Sequence, residues 1–428
     1  MKINLDHNKL DTRIKKINIT RGDVLTIILL IIIVLLVWGP LKYQMIVLGD
    51  NITIDAHTQF AAQMDQTGII PTSHFLLQAL IIGVHKLFPE SSFEFAAWLV
   101  DIAFQVFAAL IIYSVLLPSM KNTITRMKSI ILGLLTITLL LVWPIPLLFP
   151  LDQHLQIGYL GISNQLNSPT QILLKPIALL LFLYAVRVFY PSKNHSFKTT
   201  AAILFLLTIL SIIAKPSYII CLLPAMIITC GYMYCKKQPF NWRLFVIGIL
   251  LPASIILGWQ YLATYTSLRI ISRPAGITFL PLGLYSLYPS WLLPKFILSI
   301  LYPLIVTGLY FKSAINDLYL RFAWLNFVIG AIYSYSLVET VSMQAGNFVW
   351  SGQITSFILF VTTTVFLIRQ NHTIVSMPIS NKQVSHLDFR FLAGFTALTL
   401  HTVSGIIWYY LNWLSIISKN QPPWYHWR

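Results

Sequence analysis

Residues 48–78 read LGDNITIDAHTQFAAQMDQTGIIPTSHFLLQ, and Asp50, Asp55, His57, Asp65 and His74 fall within 25 positions of one another. The chain has only 13 acidic residues in all, so three in this stretch is a concentration. Carboxylates and imidazoles are side chains that take a proton from a hydroxyl or orient it, provided something holds them in reach. Asp55 opens a run whose spacing suits a helix and is the first candidate for a catalytic carboxylate. An ordinary wet helix face is the plain alternative.

Further chemistry-bearing groups are spread along the chain. In PLDQHLQIGYLGISNQLNSP, Asp152 and His154 form an Asp-x-His pair, a weak metal signal alone and equally a polar loop. Arg269 and Arg273 in SLRIISRPAGITFLPLGLYS carry the planar fork of donors that suits phosphate. Glu339 and Asn347 in ETVSMQAGNFVW are side chains that can hydrogen-bond hydroxyl groups, with Trp350 expected as an interfacial anchor. Lys42, Lys86, Lys215 and Lys295 stand near span ends, where an ammonium ordinarily snorkels to the interface; contact with a lipid phosphate is the other reading. Asp101 in AWLVDIAFQVF lies within an apolar run and is expected to be paired or functional.

These residues must be positioned by membrane helices. Hydrophobic residues make up 57% of the 428 and charged ones 10%, against about 25% charged in soluble domains. Runs such as VLTIILLIIIVLLVWG approach bilayer length. The expected fold is an all-α polytopic membrane protein of about 11 transmembrane helices. Candidate spans lie near 24–40, 93–117, 129–149, 170–190, 199–214, 216–235, 243–262, 291–310, 321–338, 350–368 and 391–415. A basic tail (1–23) precedes a single transmembrane domain (24–418) and a short outer tail (419–428). The first run lacks a small-residue cleavage site and is expected to stay as an anchor. Cys221, Cys230 and Cys235 show no metal or disulfide spacing, which leaves a buried apolar role.

Charge orients the chain. With the tail cytoplasmic, most of the 29 lysines and arginines fall on the same side, as the positive-inside rule requires. The net charge of +16 is thus a topology signal, and no nucleic-acid partner is inferred. The outer connections are then 41–92, 150–169, 263–290 and 339–349. This count needs segment 72–88 to lie in the interface and not cross. At helical spacing His74, Gln78 and His85 share one stripe of it. Residues 55–66 form an amphipathic helix, with Asp55, Thr58, Gln59, Asp65 and Gln66 on the wet face and Ala56, Phe60, Ala61 and Met64 opposite. Gly68 and Pro71 end it.

A first span, an outer loop with the Asp-led helix DAHTQFAAQM, a G-x-x-P turn and a second interfacial helix resemble the GT-C glycosyltransferase superfamily. That superfamily includes lipid A aminoarabinose transferases, protein O-mannosyltransferases and oligosaccharyltransferases. The resemblance implies a polyprenyl-phosphate-linked sugar donor, a lipid or glycan acceptor of the cell envelope, and contact with membrane lipid. It assigns the base or acceptor-positioning role to Asp55, with Asp50 as the alternative. Ala56 and His57 stand where the superfamily usually has an acidic neighbour. With such a donor, His57, His74, Arg269, Arg273, Glu339 and Asn347 are the candidates for binding the substrates. Asp152 and His154 match an acidic pair that holds a divalent metal or the acceptor, so Mg or Mn is the cofactor candidate. The Ile- and Lys-rich composition points to a bacterial inner (plasma) membrane, with the active site on its outer face. A polysaccharide polymerase or ligase, and a transporter or flippase of lipid-linked saccharide, are the competing readings. Absence of an internal repeat in the sequence weighs against the transporter.

Overall fold

The computed structural model describes residues 20–48, 52–120, 125–147, 159–160, 168–190, 196–265, 276–287, 291–340, 343, 346–370 and 388–417. About 82% of these are helical. In lipid every backbone polar group must be satisfied within its own segment, which leaves apolar runs little choice but helix. Among the described residues seven helices are long and apolar enough to cross a membrane. The chain is an all-α polytopic membrane protein.

The first helix, α1 (Arg21–Ile46), starts at a capping box: the Thr20 hydroxyl accepts from the Asp23 N–H, and the Asp23 carboxylate accepts from the Thr20 N–H. Two shorter helices follow, α2 (Ile52–Thr67) and α3 (Leu76–Leu87), and then α4 (Phe93–Leu116). Asp23, at the start of α1, accepts from Tyr113 Oη near the end of α4 at 2.7 Å. At the other end the Trp98 indole donates to the Gly39 carbonyl, and Lys42 pairs with Asp101 at 3.2 Å. Helices α1 and α4 therefore run antiparallel, so residues 47–92 leave and rejoin the bundle at one end. The 12 residues of α3 reach only about 18 Å at 1.5 Å each, short of a roughly 30 Å hydrocarbon core.

The remaining helices are α5 (Thr125–Leu141), α6 (Pro169–Ala185), α7 (Phe197–Ala214) and α8 (Ile219–Cys235). Helix α9 runs as Trp242–Phe245, a π turn Val246–Leu250, and Leu251–Tyr265. A short α10 (Gly283–Ser286) precedes α11 (Leu292–Ser299) and α12 (Leu301–Leu309), which are bent 64° from each other. After α13 (Phe311–Ala314) come α14 (Leu318–Ser336), α15 (Val349–Gln370) and α16 (Phe389–Ile417). Helix α15 is the most buried of the membrane-length helices and packs chiefly on α14. Gly330 faces Thr355 and Ser351 there, and Gly352 faces Ser334, so small residues let the two backbones close up. Gly405 of α16 is held to glycine by the Leu141 carbonyl, which an added Cβ would strike.

Several expectations are corrected. A two-stranded antiparallel ribbon, β1 (Ile277–Phe279) with β2 (Leu337–Glu339), joins the connection expected at 263–290 to the end of the span expected at 321–338. His74 precedes α3 and does not share its stripe. Thr58, placed on the wet face of α2, is buried, while Asp65 and Gln66 are exposed and Ala61 is buried as expected. Gly68 takes φ +69° and ends α2. Cys235 is exposed; Cys221 and Cys230 are buried. Lys42, Lys215 and Lys295 do not snorkel: they are 1%, 9% and 0% exposed. Of the lysines named, only Lys86 reaches solvent, paired with Asp65 at 2.8 Å. Tail residues 1–19 and 418–428 lie outside the described residues.

The Lys42–Asp101 pair supports a first prediction. Both side chains are almost wholly buried, and removing one partner of such a pair costs about 3–5 kcal/mol because the other stays charged without compensation. Asp101→Ala should lose about that much stability in denaturant titration of detergent-solubilised protein. The double variant Lys42→Met with Asp101→Leu should recover most of it. If Asp101→Ala unfolds like the wild type, the pair does not hold α1 to α4.

Candidate functional site

At the end of the bundle where α1 gives way to α2, side chains from seven segments converge. Helix α2 supplies His57 and α3 supplies Gln78, whose Nε2 donates to His57 Nδ1 at 2.8 Å. In the link between these helices, Thr72 Oγ1 lies 3.3 Å from His74 Nδ1. Gln260 of α9 fixes this link by donating to the Ser73 carbonyl at 2.7 Å and the Ile212 carbonyl at 3.2 Å.

Lys215, in the turn after α7, stands at the centre. Its ammonium donates to Ser168 Oγ at 3.3 Å and Thr170 Oγ1 at 3.2 Å, and lies 4.2 Å from the centre of the Trp350 ring. Gln171, at the start of α6, donates to the Trp350 carbonyl at 3.1 Å and contacts Ser217 Oγ at 3.4 Å. Trp350 is thus a cover for a cation, not merely the anchor its position suggested. Among the described residues no carboxylate pairs with Lys215. Gln78 Oε1, Gln171 Oε1 and Tyr218 Oη are buried with no hydrogen-bond partner among them. Such groups favour a polar occupant.

Electrostatics follow from this burial. Desolvation, then the Lys215 charge, lowers the His57 imidazole to about 4. Desolvation, then Lys215 and then His57, lowers His74 to about 3. Burial lowers the Lys215 ammonium to about 7. The two histidines are hydrogen-bonding groups at neutral pH, and Lys215 is the member of the trio that changes charge there.

Of the residues expected at the site, His57 and His74 come together. Glu339 and Asn347 also meet, with Asn347 Nδ2 donating to Glu339 Oε2 at 2.7 Å, but at the exposed edge beside the β ribbon. The backbone of Asp55 lies near the start of α2, two residues before His57. Asp50, Asp152, His154, Arg269 and Arg273 lie outside the described residues. Among the described residues no three His, Cys, Asp or Glu side chains converge as metal ligands. Gln171, Thr170 and Lys175 were missed in the sequence, although a lysine and a glutamine within PTQILLKPIALL were a readable sign of a polar interior.

No known family matches the chain, and no curated protein or solved structure is similar to it.

Proposed function

We propose that the chain is a GT-C-like membrane glycosyltransferase that moves a sugar from a polyprenyl-phosphate donor to a lipid or glycan acceptor of the cell envelope. The reading adopts eleven passes: the seven long helices, α5, α8, α14, and the bent α11–α12 pair. It sets the basic tail in the cytoplasm and the site on the outer face of a bacterial inner membrane. The observation that carries it is the Lys215 cluster, a buried cation ringed by neutral hydrogen-bonding groups at the end of the bundle that also bears α2.

In the reaction an acceptor hydroxyl attacks the anomeric carbon of the donor. Its proton passes to the Asp55 carboxylate, or to Asp50 if that residue holds the role. The bond from the anomeric carbon to the phosphate oxygen breaks with inversion, and polyprenyl phosphate leaves with the electron pair. Lys215 meets the charge that gathers on that phosphate, joined by Arg269 and Arg273. His57, His74, Glu339 and Asn347 hydrogen-bond the sugar or acceptor. A divalent metal at Asp152 and His154 would add charge at the leaving group, and no step here depends on it.

A second reading has one observation in its favour. Lys42 and Asp101 pair inside the bundle, with Lys175 close enough to feel both; buried charge of this kind also marks transport paths. Proteoliposomes carrying a panel of polyprenyl-phosphate sugars separate the two. Transferase activity releases polyprenyl phosphate in step with glycosylated product. Movement of donor across the bilayer with its glycosidic bond intact would favour the transporter.

A further inference from the structure

The opposite end of the bundle gathers a second set of charges. The described basic residues Arg21, Lys198, Arg243 and Arg390 stand at helix ends there, opposite the Lys215 cluster. Where α6 finishes in a 3-10 turn (Val186–Phe189), Arg187 lies over the Tyr184 ring at 4.0 Å. Beside it α14 begins at its cap residue Asp317, and the last turn of α15 carries Arg369, whose guanidinium is 3.5 Å from the Asp317 carboxylate. Tyr190 and Tyr319 stack with centroids 6.5 Å apart. Tyr190 is within electrostatic reach of Asp317, Arg321 and Arg369, and Tyr319 of Arg369, Arg187 and Asp317. Three guanidiniums and a single carboxylate thus lie within electrostatic reach of this tyrosine pair.

That imbalance is not removed by the neighbouring chain. The connections 191–195 and 371–387 contain no Asp or Glu, and Asp388 is taken up by Tyr310 and the Arg390 backbone. The adjoining turn adds charge of the same sign: Asn241 bonds back to the Val188 carbonyl and brings Arg243 alongside. Arg321 Nε is buried with no hydrogen-bond partner among the described residues. Guanidinium forks and phenol hydroxyls together suit the oxygens of a phosphate ester.

We propose that Arg187, Arg321 and Arg369, with Tyr190 and Tyr319, form a binding site for the phosphate headgroup of an anionic glycerophospholipid. A lipid is favoured over a soluble phosphate because exposed aromatic side chains at the same end, Tyr234 at 76% and Trp242 at 58%, mark the level of the headgroups. The leaflet beside the basic end of a membrane protein is also where anionic lipid meets basic pockets between helices. The site is independent of the sugar-transfer reading.

Native mass spectrometry of the full chain in detergent tests it, with phosphatidylglycerol, phosphatidylcholine, inorganic phosphate and pyrophosphate as probes. Retained phosphatidylglycerol should exceed phosphatidylcholine by about tenfold, a modest preference for charge-assisted contacts. Arg321→Gln should abolish the preference, and Arg187→Gln, on the partly exposed turn, should weaken it where Arg321→Gln does not fold. Equal retention of the two lipids, or a preference that survives both arginine substitutions, overturns the proposal. So does retention of inorganic phosphate or pyrophosphate that displaces phosphatidylglycerol.

Discussion

Lys215→Met should turn over a polyprenyl-phosphate sugar with kcat/KM lower by about 10²- to 10³-fold, the usual effect of deleting one preorganised charge at a developing anion. The side chain is buried among Ser168, Thr170 and Trp350, and methionine of similar length preserves much of that packing. The loss should therefore appear in turnover and not in the unfolding midpoint. Burial lowers the ammonium to about 7, so its charge is present below that value and lost as pH rises through it. Donor kcat/KM in the wild type should accordingly fall on the alkaline side of about 7. The histidines, at about 4 and about 3, titrate too low to produce that limb. Lys215→Arg, charged throughout, should flatten it. A wild-type profile flat from neutral to alkaline pH, or an unchanged limb in the arginine variant, would remove Lys215 from the chemistry.

The second large effect is expected at Asp55. Asp55→Asn keeps the shape of the side chain and removes its basicity, and loss of a positioned general base typically costs about 10²- to 10⁴-fold. The loss should fall on kcat, with donor KM little changed, because the role proposed for the residue is on the acceptor hydroxyl. Asp50→Asn should retain most activity. The reverse pattern would move the base to Asp50, and activity surviving in both single variants and in the double variant would exclude either residue from the role.

The sequence carried the large-scale plan and less of the detail. The apolar runs were readable because a membrane span is a local property: length and composition fix it, whatever the chain meets later. The helix ended by Gly68 was equally local. The site was not. Lys215 sits at a span end, where stems ordinarily snorkel, and only the packing of α6, α7 and α15 buries it. The bond from Gln78 to His57 spans 21 positions, and no period in the sequence encodes it. Trp350 looked like an anchor because the signal for an anchor and for a lid over a cation is the same single aromatic at an interface. The β ribbon has three residues per strand, too few for an alternation pattern to register.

Everything functional depends on α2 and α3 sharing one face of the membrane, away from the basic connections. Two exposed positions measure this directly: Gln63 on α2, changed to cysteine, and the native Cys235 at the far end of α8, with Cys221 and Cys230 buried. A membrane-impermeant maleimide applied to intact cells should label Gln63→Cys at once and reach Cys235 only after permeabilisation. Labelling of both from the same side would contradict the account.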